Sequence, residues 1–188
     1  RAVAEHWKQV TGNVLTQAWG LTETSPAACI NRPGDDFNNS IGLPISSTIV
    51  TIRDDDGNAL PQGQSGEICV EGPQVMRGYW NRADETEKVM LPGHVLRTGD
   101  IGYMDPQGYV NIVGRIKDMV IRGGENVYPR EVEEFLYRHP KIQDVQVIGV
   151  PEPKYGEELC AWIRLRPDTQ ATEEEIREFC RGRIAHYK

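Results

Sequence analysis

Apolar and polar positions alternate along this chain in short blocks, and the blocks change period. In residues 2–11, Val3, Trp7 and Val10 stand at i, i+4 and i+7, one face of a helix that Thr11-Gly12-Asn13 ends. Residues 14–19 form a short apolar run that reads as a buried strand. Residues 48–53 are β-branched and apolar, and residues 66–71 set Ile68 and Val70 on one face with Cys69 on the other; both read as strands. Between them Asp54-Asp55-Asp56-Gly57-Asn58 is a turn, because Asp-Gly favours one and three successive carboxylates point different ways. Residues 83–90 read as a short helix and residues 95–97 as a strand delivering Asp100. A hairpin follows, with arms 101–104 and 109–113 around Asp105-Pro106-Gln107-Gly108. Residues 42–114 therefore predict a small antiparallel β unit.

Beyond Arg115–Asp118 the pattern changes again. A short strand over residues 119–122 leads into Gly123-Gly124-Glu125-Asn126, read as a flexible turn, and Pro129 suits the first position of a helix. Val132, Phe135 and Leu136 are that helix's apolar stripe, and His139-Pro140 ends it. Residues 145–150 and 159–165 are strands. Thr172 with Glu175 three positions later is a capping box, opening a helix that buries Ile176, Phe179, Cys180 and Ile184. The fold class is α+β.

Composition narrows the function classes. Against 28 acidic residues stand 21 basic ones, and the net charge of −7 argues against a nucleic-acid partner, which requires a basic face. Cys29, Cys69, Cys160 and Cys180 are widely spaced and form no Cys-x-x-Cys pair, so they read as free thiols in a reducing compartment. The four His show no metal-ligand spacing, and Asn38-Asn39-Ser40 is a fortuitous glycosylation sequon. No apolar run approaches the ~20 residues that span a bilayer. Nothing at Arg1 reads as a signal peptide, and a chain opening on Arg1 rather than Met is expected to start inside a longer protein.

Three stretches carry candidate chemistry: Thr98-Gly99-Asp100, the charged run Arg115-Ile116-Lys117-Asp118, and the Gly123-Gly124 turn. Each alone is unremarkable, a turn, a solvated surface run and a loop. Their order is not. With Gln17-Ala18-Trp19-Gly20-Leu21-Thr22-Glu23 upstream, the chain resembles the adenylate-forming enzymes, and nearly all 188 residues take part. Trp-Gly-Leu-Thr-Glu-Thr and Val-Ile-Arg-Gly-Gly-Glu-Asn-Val-Tyr-Pro-Arg-Glu resemble the fatty-acyl-CoA synthetase branch more than the amino-acid-activating one.

The resemblance implies that residues 1–114 are the C-terminal part of a large AMP-binding domain, residues 115–118 a hinge, and residues 119–188 a small, truncated C-terminal domain. The implied activity is ATP-dependent: a medium- or long-chain fatty acid becomes acyl-AMP and passes to coenzyme A. Implied roles follow residue by residue. Trp19 packs on adenine in place of the family's more usual Tyr, with Gly20 beside it. Thr22 holds the α-phosphate, and Glu23 holds Mg2+, a hard cation suited to carboxylate, phosphate and water. Asp100 accepts from both ribose hydroxyls, since one carboxylate can clamp a vicinal diol. Arg115 reaches ribose or phosphate through its donor fork. Lys117 is the hinge residue, where several members carry Asp, and Gly123 and Gly124 leave a path for the pantetheine arm.

Two family features are missing from these residues: the Ser/Thr/Gly-rich phosphate loop, and the lysine of a C-terminal Gly-Lys motif, which Lys188 is not. The chain alone is therefore expected to adenylate negligibly. The implied location is cytoplasmic, with room for a homodimer and for peripheral contact with a membrane. Two other readings stand beside this one: an aryl-CoA ligase of the same superfamily, and a non-catalytic binding module with the same fold.

Overall fold

The computed structural model describes residues 2–35 and 38–188. The chain divides into two compact units, Arg1–Ile112 and Val113–Lys188, each with its own core.

The first unit opens with helix α1 (Ala2–Thr11). Its Trp7 and Val10 are exposed, so they are not the buried stripe their spacing predicts; the side chain of Val3 lies outside the described residues. Strands β1 (Ala18–Trp19), β2 (Cys29–Ile30) and β3 (Leu43–Pro44) form an antiparallel sheet in that order. The expected strand over residues 14–19 is thus shorter and less buried, with Leu15 exposed. The last bond on that side runs from Asn31 N–H to Gln17 O, where the partner segment leaves β2 for the following loop. That loop is polar yet anchored: the Ser40 hydroxyl donates to buried Asn31 Oδ1 at 3.0 Å, and the Asn31 amide returns to Ser40 O. Residues 36 and 37 of the loop lie outside the described residues.

Next come β4 (Ile49–Arg53), β5 (Gly66–Glu71), helix α2 (Ala83–Val89), β6 (Met90–Leu91), β7 (Val95–Met104) and β8 (Val110–Arg115). The sheet runs β4-β5-β7-β6, with β8 also paired to β7. Both faces of β5 are covered, so Cys69 is as buried as Ile68 and Val70. Burying an aliphatic side chain of this size contributes about 1.5–3 kcal/mol, and Val50, Ile52, Ile68, Val70, Leu96 and Val110 are the centre of this core. The Asp54 turn forms as its residues predict, with Asn58 N–H donating to Asp54 Oδ1 at 2.7 Å. One correction concerns residues 95–104. They form a single strand rather than two, and the break expected at Gly99 is a bulge inside it.

In the second unit a 3-10 turn (Ile116–Asp118) precedes β9 (Val120–Arg122), β10 (Glu125–Val127), α3 (Pro129–Leu136), β11 (Ile142–Glu152), β12 (Gly156–Leu165) and α4 (Glu173–Cys180). The sheet order is β10-β9-β12-β11, all antiparallel. Val120, Val127, Val132, Leu136, Ile142, Val145 and Val147 form the core. Thr172 caps α4 by accepting from Glu175 N–H at 3.2 Å, while the Glu175 carboxylate takes Lys141 at 2.7 Å. The α4 stripe is only half-buried, so Cys180 lines the margin of the core.

All four cysteines are free thiols. Burial pushes the Cys29 and Cys69 thiols up to about 12, the Glu67 carboxylate adding to the effect at Cys69. Among the described residues no helix is long and apolar enough to cross a membrane.

Candidate active site

Two features of the first unit carry its candidate residues. The first is the loop joining β1 to β2. Pairing of Trp19 with Cys29, sealed by Ala28 N–H donating to Trp19 O at 2.8 Å, forces residues 20–27 out as a tight excursion. The loop closes on Gly20: a Cβ there would lie 1.8 Å from Pro26 O and 2.7 Å from Ala27 Cα, so only glycine fits. Inside it Thr22–Thr24 makes one 3-10 turn. Thr24 is fully buried and pins the turn; its Oγ1 accepts from Leu21 N–H at 2.8 Å and lies 3.2 Å from Pro26 O. Buried Thr24 leaves its neighbour Thr22 exposed and Glu23 half-exposed. Trp19 is half-buried against the core beneath.

Glu23 is held from a distant segment. Tyr79 Oη donates to Glu23 Oε1 at 2.7 Å, and Met76 N–H donates to Glu23 O at 2.8 Å. Tyr79 is itself fixed by its N–H donating to Thr86 Oγ1 at 2.9 Å. The bond to Glu23, with burial and the same carboxylate's charge, raises the Tyr79 phenol to about 12, so it stays a neutral donor. No group of three or more His, Cys, Asp or Glu among the described residues is arranged to hold a metal ion. A single oriented carboxylate instead suits Mg2+ that arrives on phosphates and keeps much of its water.

The second feature is the bulge at Thr98-Gly99-Asp100. Cys69 pairs with Arg97 and Glu67 with Ile101, so Ile68 alone faces three residues of β7. Gly99 adopts φ +73°, which a bulge of this kind asks of its glycine. Thr98 Oγ1 donates to Ile68 O at 2.7 Å, and Asp100 N–H donates to Thr98 Oγ1 at 3.1 Å. Asp100 ends up 3% exposed. Beside the bulge, on the paired strand β5, is Glu67, 5% exposed, whose carboxylate accepts from Gly99 N–H at 2.9 Å and Arg97 Nε at 2.6 Å.

In the second unit Arg115 precedes the 3-10 turn and Lys117 is its middle residue, both exposed, while Gly114 is buried against the Tyr128 ring. Gly123 and Gly124, at φ +60° and +90°, form the two-residue turn of a β9–β10 hairpin. This corrects the expectation of a flexible turn, since Glu125 and Asn126 lie in β10. Gly123 N–H donates to Tyr155 O at 2.9 Å, and Arg122 Cζ and Lys154 Nζ lie 4.7 and 4.6 Å from the Tyr155 ring centroid.

The structure thus gathers Trp19, Gly20, Thr22 and Glu23 on one loop and sets Asp100 on the sheet of the same unit. Arg115, Lys117, Gly123 and Gly124 belong to the other unit. Sequence reasoning missed Tyr79, Thr24 and Glu67.

Comparison with known proteins identifies the class to which this fold belongs. Residues 1–80 match the family model described as AMP-binding enzyme, and residues 131–188 match AMP-binding enzyme C-terminal domain. The chain belongs to the AMP-binding enzyme family. It is 44% identical over 189 residues to a long-chain-fatty-acid–CoA ligase of Escherichia coli, covering all of this chain and 33% of the relative. The ATP-bound structure of MatB from Rhodopseudomonas palustris superposes with a TM-score of 0.93 at 33% identity, over 100% of this chain and 37% of that one. An anthranilate CoA ligase, AuaEII, in complex with anthranoyl-AMP gives 0.85 at 33% identity, over 100% and 37%. The chain spans about a third of the length of the curated relatives it matches.

Proposed function

We propose that this chain supplies the ribose, phosphate and thiol-path elements of an AMP-forming acid–thiol ligase, one that activates a medium- or long-chain fatty acid as acyl-AMP and transfers it to coenzyme A. The observation that carries the reading is the Asp100 bulge, a buried acidic position built into an otherwise regular strand. A carboxylate fixed there accepts from both hydroxyls of a ribose. Thr22 binds the α-phosphate, and Trp19 and Gly20 form the adenine side. Glu23 would hold Mg2+, which supplies charge neutralisation for the phosphates when bound. Arg115 reaches the ribose or phosphate. Lys117 is the hinge about which the second unit turns between the two half-reactions, and Gly123-Gly124 borders the pantetheine path.

The likeness to an anthranilate CoA ligase favours one second reading, an aromatic acid as substrate. A panel of ATP, coenzyme A and single acids, given to the complete protein, separates the two. Thioester yield from decanoate or palmitate well above that from benzoate or anthranilate supports the fatty-acid reading; the reverse order replaces it. Lys117→Pro tests the hinge: selective loss of thioester formation supports it, and equal loss of both half-reactions removes it.

A further inference from the structure

We propose that Glu67 is a positioning residue for nucleotide binding: from the neighbouring strand β5 it fixes the bulge that presents Asp100. The inference rests on the reading of Asp100 as the ribose ligand and goes beyond it, because the Glu67 carboxylate is engaged by the bulge itself, through Gly99 N–H and Arg97 Nε.

Three observations converge. Glu67 is buried, and a buried carboxylate is costly unless its oxygens are matched. They are matched by the bulge itself: one oxygen accepts from Gly99 N–H, the residue with positive φ, and the other from Arg97 Nε, two positions before it. The register then resumes at the Glu67–Ile101 pair, directly beyond Asp100. Glu67 therefore grips the bulge on both sides of Thr98, while Thr98 Oγ1 ties its middle to Ile68 O. Without the Gly99 bond only the Thr98 bonds hold the extra residues, and Asp100 is less firmly directed. Within a strand of alternating faces, a shift of one residue would turn the carboxylate to the opposite face.

Glu67→Gln separates this role from simple packing. The amide keeps the shape but offers one acceptor for two donors. Whichever way it is flipped, an NH2 faces either Gly99 N–H or Arg97. Adding Arg97→Met removes the competing donor and lets the amide oxygen return to Gly99.

The experiment measures binding of AMP and of 2′,3′-dideoxy-AMP to the complete protein by calorimetry. The wild type is expected to prefer AMP by roughly 100-fold or more, because the dideoxy compound loses two hydrogen bonds to a charged group. Asp100→Ala abolishes the preference. Glu67→Gln reduces it several-fold while leaving dideoxy-AMP affinity at the wild-type level, and Glu67→Gln with Arg97→Met restores it. Loosening of the fold in general would weaken both nucleotides alike, which contradicts the proposal. A wild type with no preference for AMP removes the ribose reading of Asp100. A wild-type preference that Asp100→Ala abolishes and Glu67→Gln leaves intact overturns the role of Glu67 alone. Should Glu67→Gln fail to fold, Gly99→Ala decides: its methyl meets no atom within 4 Å, so only the bulge's φ is strained. A reduced preference supports the proposal, and an unchanged one overturns it.

Discussion

Gly20→Ala is the sharpest test of how the β1–β2 loop is built. The added methyl would sit 1.8 Å from Pro26 O, where real carbon atoms keep more than 3.0 Å, and the obstructing atoms are all main chain. No rotamer change relieves that clash; the strand end or the Pro26 peptide must retreat by about 1.5 Å. Retreat would break the Ala28 N–H to Trp19 O bond or the Thr24 contacts that hold the turn. Overpacking of this kind costs about 2–3 kcal/mol, which for a chain of this size lowers Tm by roughly 5–10 °C. Gly20 does not have a positive φ, so none of the loss comes from backbone strain. Gly63→Ala is the matched control. It has φ +84° and open space around it, so only the conformational cost of about 1 kcal/mol applies. Thermal unfolding followed by circular dichroism reads both. A Gly20→Ala melt within a degree of wild type, or no lower than that of Gly63→Ala, would refute the packing argument.

Other consequences can be measured directly. Tyr79→Phe removes the hydroxyl that orients Glu23; the Mg2+ concentration needed for half-maximal ATP binding should rise roughly tenfold, and an unchanged midpoint would detach Tyr79 from the site. At pH 8, with thiols pushed up to about 12, Cys29 and Cys69 should resist iodoacetamide until denaturant is added, as read by intact mass; rapid modification of four sites in the folded chain would contradict their burial. Hydrogen bonds from Tyr137, Arg122 and Lys141 hold Asp144, Glu158 and Glu175 below the usual carboxylate range. Depressed folded values mean stabilisation that is complete above the unfolded values near pH 4 and lost as pH falls below them. Tm of the second unit should therefore drop below about pH 4, and a flat Tm through that range would discount these bonds.

Local signals made much of the fold readable. Proline at the start of α3, Thr172 at the cap of α4 and the β-branched run of β4 each act within a few residues, and each element formed there. Failures came where a distant partner decides the outcome. Gly99 looked like a strand break because its bulge is defined only against Ile68 and Glu67, 32 positions away for the bonded carboxylate. Polar Glu125 and Asn126 looked like loop because their pairing comes from the turn geometry of Gly123-Gly124, not from apolar pattern. Val14 and Leu15 looked like strand because they are apolar, yet among the described residues no strand is paired with them. Among candidate site residues, those in contiguous motifs could be named beforehand. Tyr79 could not, since its bond to Glu23 joins residues 56 apart.

The central claim, adenylate formation, is tested most directly by the nucleotide products when the complete protein receives ATP, Mg2+, a fatty acid and coenzyme A. AMP and pyrophosphate are the expected products, with one acyl-CoA per AMP and no turnover without the acid. ADP and phosphate, or ATP consumed at the same rate without the acid, would contradict it.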